Sequence, residues 1–181
     1  MKRLLLFFAC CSLFQYSFSQ PYDPEKVNKK AVQFFDQAYE RAQDGNYPNA
    51  IGLLLQAVKT DTKYVDAYLA LGNIYGILKN YKSAIGYYEK ALEIVRAILG
   101  EQHPNVARDF NNLGWVWNSK GEYDKAITYI QKSLDIALKV LGIQHPRVIG
   151  IYKFLGDIYY RKRDYRDIEF FKSNCQKALD Y

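Results

Sequence analysis

The chain has 181 residues, of which 49% are hydrophobic and 24% are charged. This balance indicates one globular domain of ordinary size and excludes an intrinsically disordered chain. The net charge is +6, but basic and acidic residues alternate along most of the sequence, so the charge pattern does not predict nucleic-acid binding.

The first nineteen residues have the pattern of a signal peptide. Lys2 and Arg3 precede an apolar run that continues to Phe18, and Ser17 and Ser19 are small residues spaced two apart. This pattern predicts cleavage after residue 19. The run has polar interruptions and is shorter than the roughly 20 apolar residues of a spanning helix. An uncleaved anchor and a buried first helix are the alternatives.

Lipid attachment at Cys10 or Cys11 is a less favoured alternative, because the residues before them match a lipoprotein signal poorly. The remaining cysteine is Cys175, so no intramolecular disulfide is expected. The sequence has no Asn-x-Ser/Thr site for N-glycosylation. We therefore expect an exported protein in the periplasm or on the surface of a bacterium, with association with the cell envelope left open. No later segment of the sequence is expected to span a membrane.

Residues 20–30 are predicted to be a short linker, and a repeat pattern follows. The blocks Leu-Gly-Asn-Ile-Tyr, Leu-Gly-Trp-Val-Trp and Leu-Gly-Asp-Ile-Tyr begin at residues 71, 113 and 155, which are 42 residues apart. Each block precedes a similar turn and apolar segment, at residues 80–85, 122–127 and 164–168, and an earlier unit at 46–51 precedes the second by 34 residues. A fixed period of this length predicts stacked supersecondary units.

The connections between units explain the longer period. Residues 99–104 and 141–146 both read Leu-Gly-x-Gln-His-Pro. Gly100 and Gly142 are expected to adopt the left-handed conformation that ends a helix. Pro104 and Pro146 suit the first turn of the next helix. The second helix of each middle unit is therefore predicted to be extended by about two turns.

The same units predict close packing between helices. Gly72, Gly114 and Gly156 have no side chain, so the second helix of each unit can approach closely, and Ala84 and Ala126 have the same effect on the second helix. Apolar residues recur at intervals of three and four, which is typical of amphipathic helices. No stretch alternates with period two over the length of a strand, so an all-α fold is predicted.

These features resemble the tetratricopeptide repeat, in its kinesin light chain variety, over about residues 31–181. The resemblance implies antiparallel helix pairs stacked into a right-handed solenoid with a concave groove. The four pairs are expected at about 31–64, 65–106, 107–148 and 149–181. The first unit has Gln37 and Ala38 in place of Leu-Gly and is expected to act as an N-terminal cap. The last has Ile168 in place of the small Ala and a polar outer face, which suits the end of a solenoid.

The search for chemical sites predicts no catalytic residue, no cofactor and no metal. His103 and His145 precede proline in equivalent loops one unit apart. This placement indicates that they belong to the residue pattern of the repeat and are not metal ligands. Cys175 is expected to be a small buried packing residue. The sequence has no phosphate-binding loop or nucleophile elbow. A basic cluster at 161–166 is interpreted as a solvated turn, with contact to an anionic membrane or polysaccharide as the alternative.

In proteins similar to this one, the first helix of each pair lines the groove and carries the binding residues. Helical spacing places a set of residues on the side of the first helix that faces away from the Leu-Gly positions and from the second helix. They are Phe35, Tyr39, Asp66, Leu69, Asn73, Arg108, Asn111, Trp115, Asn118, Lys153, Asp157 and Tyr160. Asparagine side chains can both donate to and accept from a peptide backbone. Trp115 and Tyr160 offer apolar anchors, and Arg108 and Lys153 can pair with acidic side chains. Trp117 is expected in the core instead.

Some tetratricopeptide proteins hold a C-terminal carboxylate in a clamp of Lys, Asn and Arg. Asn73 and Asn112 match its asparagines, but Leu69, Gly150 and Phe154 stand where its basic residues belong, so a clamp is not expected. The sequence therefore predicts an exported, non-catalytic scaffold that binds a protein or peptide in its groove. The principal alternative is a structural role, either as a self-assembling protein or as a subunit of a cell-envelope complex without a peptide ligand.

Overall fold

The computed structural model describes residues 27–162, together with Ser173 and Gln176. Seven helices lie within residues 27–162, and no strand occurs there. The helices are α1 (Lys29–Gln43), α2 (Tyr47–Thr60), α3 (Val65–Ile77), α4 (Tyr81–Leu99), α5 (Pro104–Lys120), α6 (Tyr123–Leu141) and α7 (Pro146–Lys162). The predicted all-α fold is confirmed. None of the described helices is both long enough and apolar enough to cross a bilayer.

Polar side chains define where several helices begin. Asn28, Asn46 and Asn80 each precede a helix, and each side chain accepts a hydrogen bond from a backbone N–H in the first turn. Such caps satisfy donors that the helix itself leaves without partners. Because Asn28 caps α1, this helix begins at Lys29, within the stretch predicted as linker.

The connections before α5 and α7 explain where the third and fourth units begin. Pro104 and Pro146 are the first residues of their helices, as predicted, so these helices begin three residues before the expected unit boundaries at 107 and 149. Gly100 has φ 81° and ψ 165°, and Gly142 has φ 77° and ψ 163°. The positive φ was expected, but the extended ψ differs from the predicted left-handed helical conformation. This backbone region is nearly exclusive to glycine.

The helices pack mainly against their neighbours in the chain, which produces a row of antiparallel pairs. Three clusters of buried apolar side chains follow this row. The first joins α1, α2 and α3, the second is built mainly from α3, α4 and α5, and the third joins α6 and α7. The helices α4 and α6 have 19 residues each, against 14 in α2. The predicted extension of the second helix in the middle units is therefore confirmed.

Two of the glycines predicted to permit close packing do so. A Cβ atom at Gly72 would lie 2.8 Å from Cε1 of Tyr88. A Cβ atom at Gly114 would lie 2.5 Å from Cγ1 of Ile130 and 3.3 Å from the backbone oxygen of Ala126. Both glycines are buried. The expected partner of Gly156 lies in the second helix of the last unit, which falls outside the described residues, as do the predicted signal peptide and Cys175.

Candidate functional site

The residues predicted to line the groove lie on one side of α1, α3, α5 and α7, which we call the first-helix face. Its exposed members are Lys153 and Asp157, together with Tyr39, Trp115 and Tyr160, whose exposed fractions are 39%, 36% and 66%. Aromatic side chains are therefore accessible on three of its four helices. Such side chains contribute a large share of the energy of protein interfaces.

Two residues predicted for this face are buried in the structure. Leu69 is 6% exposed and belongs to the core cluster around α4. Asn118 is 7% exposed, and its Oδ1 has no hydrogen-bond partner among the described residues. Helical spacing within a single helix gives no information on how far the neighbouring unit covers it.

The remaining predicted residues are partly covered. Phe35 packs against Tyr64, with ring centroids 5.3 Å apart. The Oδ1 atom of Asn73 accepts a hydrogen bond from the Tyr88 hydroxyl at 2.5 Å. Asn111 is partly buried. Tyr88 thus orients the Asn73 side chain, and the ring of Tyr88 packs closely against Gly72.

Trp115 lies where α3 and α5 approach each other. A Cβ atom at Gly76 would lie 2.7 Å from Cζ3 of the Trp115 indole, so the absence of a side chain at Gly76 leaves room for the ring. The indole packs against α3 and still exposes 36% of its surface. The Trp115 ring is therefore held in place and is still accessible. A side chain that its surroundings already hold loses little conformational entropy on binding.

A charged group that sequence reasoning missed lies earlier in the same helix, α5. Asp109 is fully buried, and its Oδ1 accepts a hydrogen bond from Nε of Arg108 at 2.9 Å. Its Oδ2 has no hydrogen-bond partner among the residues that the structure describes. Burial raises the pKa of Asp109 to about 6 against the opposing effect of Arg108. Burial also raises the pKa of Asp66, and the charge of Arg108 again opposes the shift.

Asp109 differs in character from the residues at the equivalent positions of the neighbouring units. The equivalent positions of the neighbouring units hold Ala67 and Ile151, which are both buried. An aspartate at a repeat position that is otherwise apolar indicates a buried carboxyl. Buried ionisable groups are often functional, although structural ion pairs have the same appearance.

The two histidines have a structural role that the sequence analysis did not assign. The Nδ1 atoms of His103 and His145 accept hydrogen bonds from the backbone N–H groups of Asn105 and Arg147, each at 3.1 Å. They therefore cap α5 and α7. Burial, followed by the charge of Arg108, lowers the pKa of His103, which favours the neutral imidazole that can accept this bond.

Trp117 lies on the opposite side of α5 from Trp115. It is partly buried against the cluster of α6 and α7, and its buried Nε1 has no hydrogen-bond partner within the described part of the chain. The ammonium groups of Lys120 and Lys125 lie 4.8 and 4.5 Å from the centroid of its ring. These contacts agree with the predicted core position.

Known proteins share this architecture. BtubC (BKLC) from P. vanneervenii superposes with a TM-score of 0.75 at 22% identity, over 93% of this chain and 69% of that one. A kinesin light chain-like repeat protein of Podosopora anserina gives a TM-score of 0.71 at 16% identity, over 92% of this chain and 81% of that one. At these identities the likeness shows the fold alone.

Sequence comparisons identify the family. Protein KINESIN LIGHT CHAIN-RELATED 1 of Arabidopsis thaliana is 31% identical over 84 residues, which is 43% of this chain and 14% of that protein. The chain thus corresponds to a small part of that relative. The profile of the tetratricopeptide repeat family matches residues 63–118 and 117–171. Since these matches cover more than half of the sequence, the chain belongs to the tetratricopeptide repeat family.

Proposed function

We propose that this chain is an exported, non-catalytic scaffold that binds a protein or peptide on its first-helix face. The observation that carries the proposal is Trp115, an indole that packs on Gly76 and remains 36% exposed. Stacked helix pairs provide a rigid extended surface. On such a surface, a few well-placed aromatic residues supply much of the binding energy.

The contrast between the two tryptophans of α5 tests this function. The mature protein and its Trp115→Ala and Trp117→Ala variants would each be used to capture proteins from the cell envelope of the source organism. Trp115→Ala is expected to lose the captured protein with little change in the free energy of unfolding. Trp117→Ala is expected to lower that free energy by about 3–5 kcal/mol, because it removes a ring packed against the core.

Two outcomes would contradict the proposal. If Trp115→Ala unfolds the protein as badly as Trp117→Ala does, the first-helix face is wrongly assigned. If a folded Trp115→Ala variant captures the same proteins in the same amounts, the partner binds elsewhere. Denaturant unfolding of each variant gives the stability that this comparison needs.

Export is part of the proposal and has its own support. The basic start, the apolar run and the small residues Ser17 and Ser19 form the pattern that signal peptidases process. Intact-mass measurement of the protein recovered from envelope fractions is expected to give a chain that begins at Gln20. Recovery of the full-length chain from the cytoplasm would contradict export.

A structural role through self-association is the second candidate. Three apolar side chains near the ends of α4 and α6 favour it. Ile98, Val140 and Ile143 are 50%, 45% and 37% exposed. Sedimentation velocity over a concentration series decides between the candidates, because only self-association raises the sedimentation coefficient with concentration.

A further inference from the structure

The connection between α3 and α4, which we call the α3–α4 turn (residues 77–82), departs from the corresponding turns of the other units. Ile77 and Leu78 are 43% and 47% exposed. The residues at these two positions are polar in the other described units, where they are Gln43 and Asp44, Ser119 and Lys120, and Arg161 and Lys162. Exposed apolar side chains at this position are therefore a property of the second unit and not of the repeat.

Lys79, the next residue of the turn, adopts a backbone conformation that glycine adopts in two other units. Its φ is 59°, and the equivalent Gly45 and Gly121 have φ values of 75° and 85°. The three turns share the same backbone hydrogen bonds, such as the one from Asn80 N–H to the Tyr75 carbonyl at 2.8 Å. A side chain is disfavoured in this conformation. A non-glycine residue that the fold disfavours indicates a functional constraint.

The α3–α4 turn is basic as well as apolar. Lys79 and Lys82 are both exposed, and the sequence has no acidic residue between Asp66 and Glu89. Since neighbouring helices are antiparallel, the turns within the helix pairs all lie at one edge of the row. Any carboxylate that neutralises these lysines from outside the second unit would belong to a neighbouring turn at this edge.

The carboxylates of the next turn along this edge already have cationic partners. The Nζ atoms of Lys120 and Lys125 lie 3.8 and 3.4 Å from carboxylate oxygens of Glu122. The Nζ atom of Lys162, at the end of α7, lies 2.6 Å from Oδ1 of Asp124, near the start of α6. The α3–α4 turn thus presents its positive charge to whatever meets this edge.

Exposed apolar side chains next to lysines suit the boundary between anionic lipid headgroups and acyl chains. The apolar side chains enter this boundary, and the lysines remain at the headgroup phosphates. A turn at the edge of the row can also approach a flat surface without any movement of the helices. We propose that the α3–α4 turn contacts an anionic membrane surface, with Ile77 and Leu78 at the acyl boundary and Lys79 and Lys82 at the phosphates. This inference goes beyond the proposed function, because it concerns a second surface and another kind of partner.

Co-sedimentation with vesicles tests the site on the chain that begins at Gln20, which lacks the apolar start. The probe is a vesicle of phosphatidylcholine with about one third phosphatidylglycerol. Ile77→Gln combined with Leu78→Gln is expected to weaken binding by about fivefold or more, because it removes the apolar contribution. Leu55→Gln combined with Ile98→Gln is the matched control, since these side chains are 41% and 50% exposed on α2 and α4, away from the turn. The control is expected to change binding by less than about twofold.

Lys79→Gly separates lipid binding from stability. It removes one charge near the lipid surface and is expected to weaken binding by about fivefold. It also introduces the residue that the equivalent turns have at Gly45 and Gly121. Glycine adopts this conformation without strain, so the melting temperature is expected to stay the same or rise. Weaker binding by this variant therefore cannot result from unfolding.

Four outcomes would overturn the proposal. The first is that the chain does not sediment with the anionic vesicles. The second is equal binding to vesicles of phosphatidylcholine alone, because the lysines would then not recognise anionic headgroups. The third is equal weakening by the two double variants. The fourth is that Ile77→Gln with Leu78→Gln loses a protein captured from the envelope but binds vesicles as before, which would make the turn a protein contact.

Discussion

At the scale of single residues, Asp109 is the group whose environment departs most from its repeat equivalents. It is fully buried, with one carboxylate oxygen bonded to Arg108 and the other without a partner in the described residues. Burial of a charge with incomplete pairing is costly, and that cost appears as a pKa of about 6. The carboxyl is therefore expected to hold its proton in the folded chain at a pH where it is ionised in the unfolded chain.

Asp109→Asn tests this linkage. Because the pKa of Asp109 is raised on folding, its favourable contribution is present below about pH 4 and is lost as the pH rises through about 6. The loss corresponds to up to about 3 kcal/mol. The amide of the variant does not titrate, so the wild-type chain is expected to lose that much free energy of unfolding relative to the variant between about pH 4 and pH 7.

Urea unfolding of both proteins at several pH values measures this difference. Carboxylates other than Asp66, whose charge acts on Asp109, contribute equally to the two chains and cancel in the comparison. A constant difference between wild type and variant over this range would show that the Asp109 proton is not linked to folding.

At the scale of helices, the pairing of α5 with α6 depends on the absence of a side chain at Gly114. The nearest atoms to a Cβ there belong to the Ile130 side chain and to the backbone oxygen of Ala126. A side chain can adopt another rotamer, but a backbone carbonyl within a helix cannot move without disturbing the helix. The close approach of the two helices outweighs the roughly 1 kcal/mol that glycine costs in a helix interior.

Gly114→Ala is therefore expected to lower the free energy of unfolding by about 1–3 kcal/mol, as overpacking does elsewhere. Gly86→Ala in α4 is the matched control, because no described atom other than the adjoining residues and the local backbone of α4 lies within 4 Å of the Cβ position at Gly86. That substitution is expected to raise the free energy of unfolding by up to about 1 kcal/mol. Denaturant unfolding measures both changes, and a stabilising Gly114→Ala would contradict the packing argument.

At the scale of the whole molecule, contacts between neighbouring units maintain the row of helix pairs. Tyr75 of α3 and Tyr87 of α4, both in the second unit, stack with ring centroids 5.4 Å apart and an interplanar angle of 11°. Both side chains pack against two of the three core clusters, so they connect the first two units with the third. A fold of this kind gains its stability from each unit and from its contacts with the next.

Hydrogen exchange is expected to reflect this arrangement. Amides of α4 and α5 belong to units with neighbours on both sides, so they are expected to be the most protected. Amides of α1, which has a neighbouring helix on one side within residues 27–162, are expected to exchange faster by about one order of magnitude or more. Equal protection of α1, α4 and α5 would show that the described units unfold together rather than from the end.

The sequence predicted those features that each unit encodes by itself. The local signals are the 42-residue period, the glycines at 72 and 114 that permit close helix packing, and the prolines that begin α5 and α7. Each of them depends on backbone geometry or on contacts within one helix pair. For this reason the fold class and the lengths of α4 and α6 were predictable.

The tertiary structure alone decided which residues of the first-helix face remain accessible. Leu69 and Asn118 are buried although their helical spacing matches that of exposed Trp115, because the neighbouring unit covers some positions of a helix and not others. Periodicity specifies the side of a helix on which a residue lies, whereas packing between units determines what lies against it.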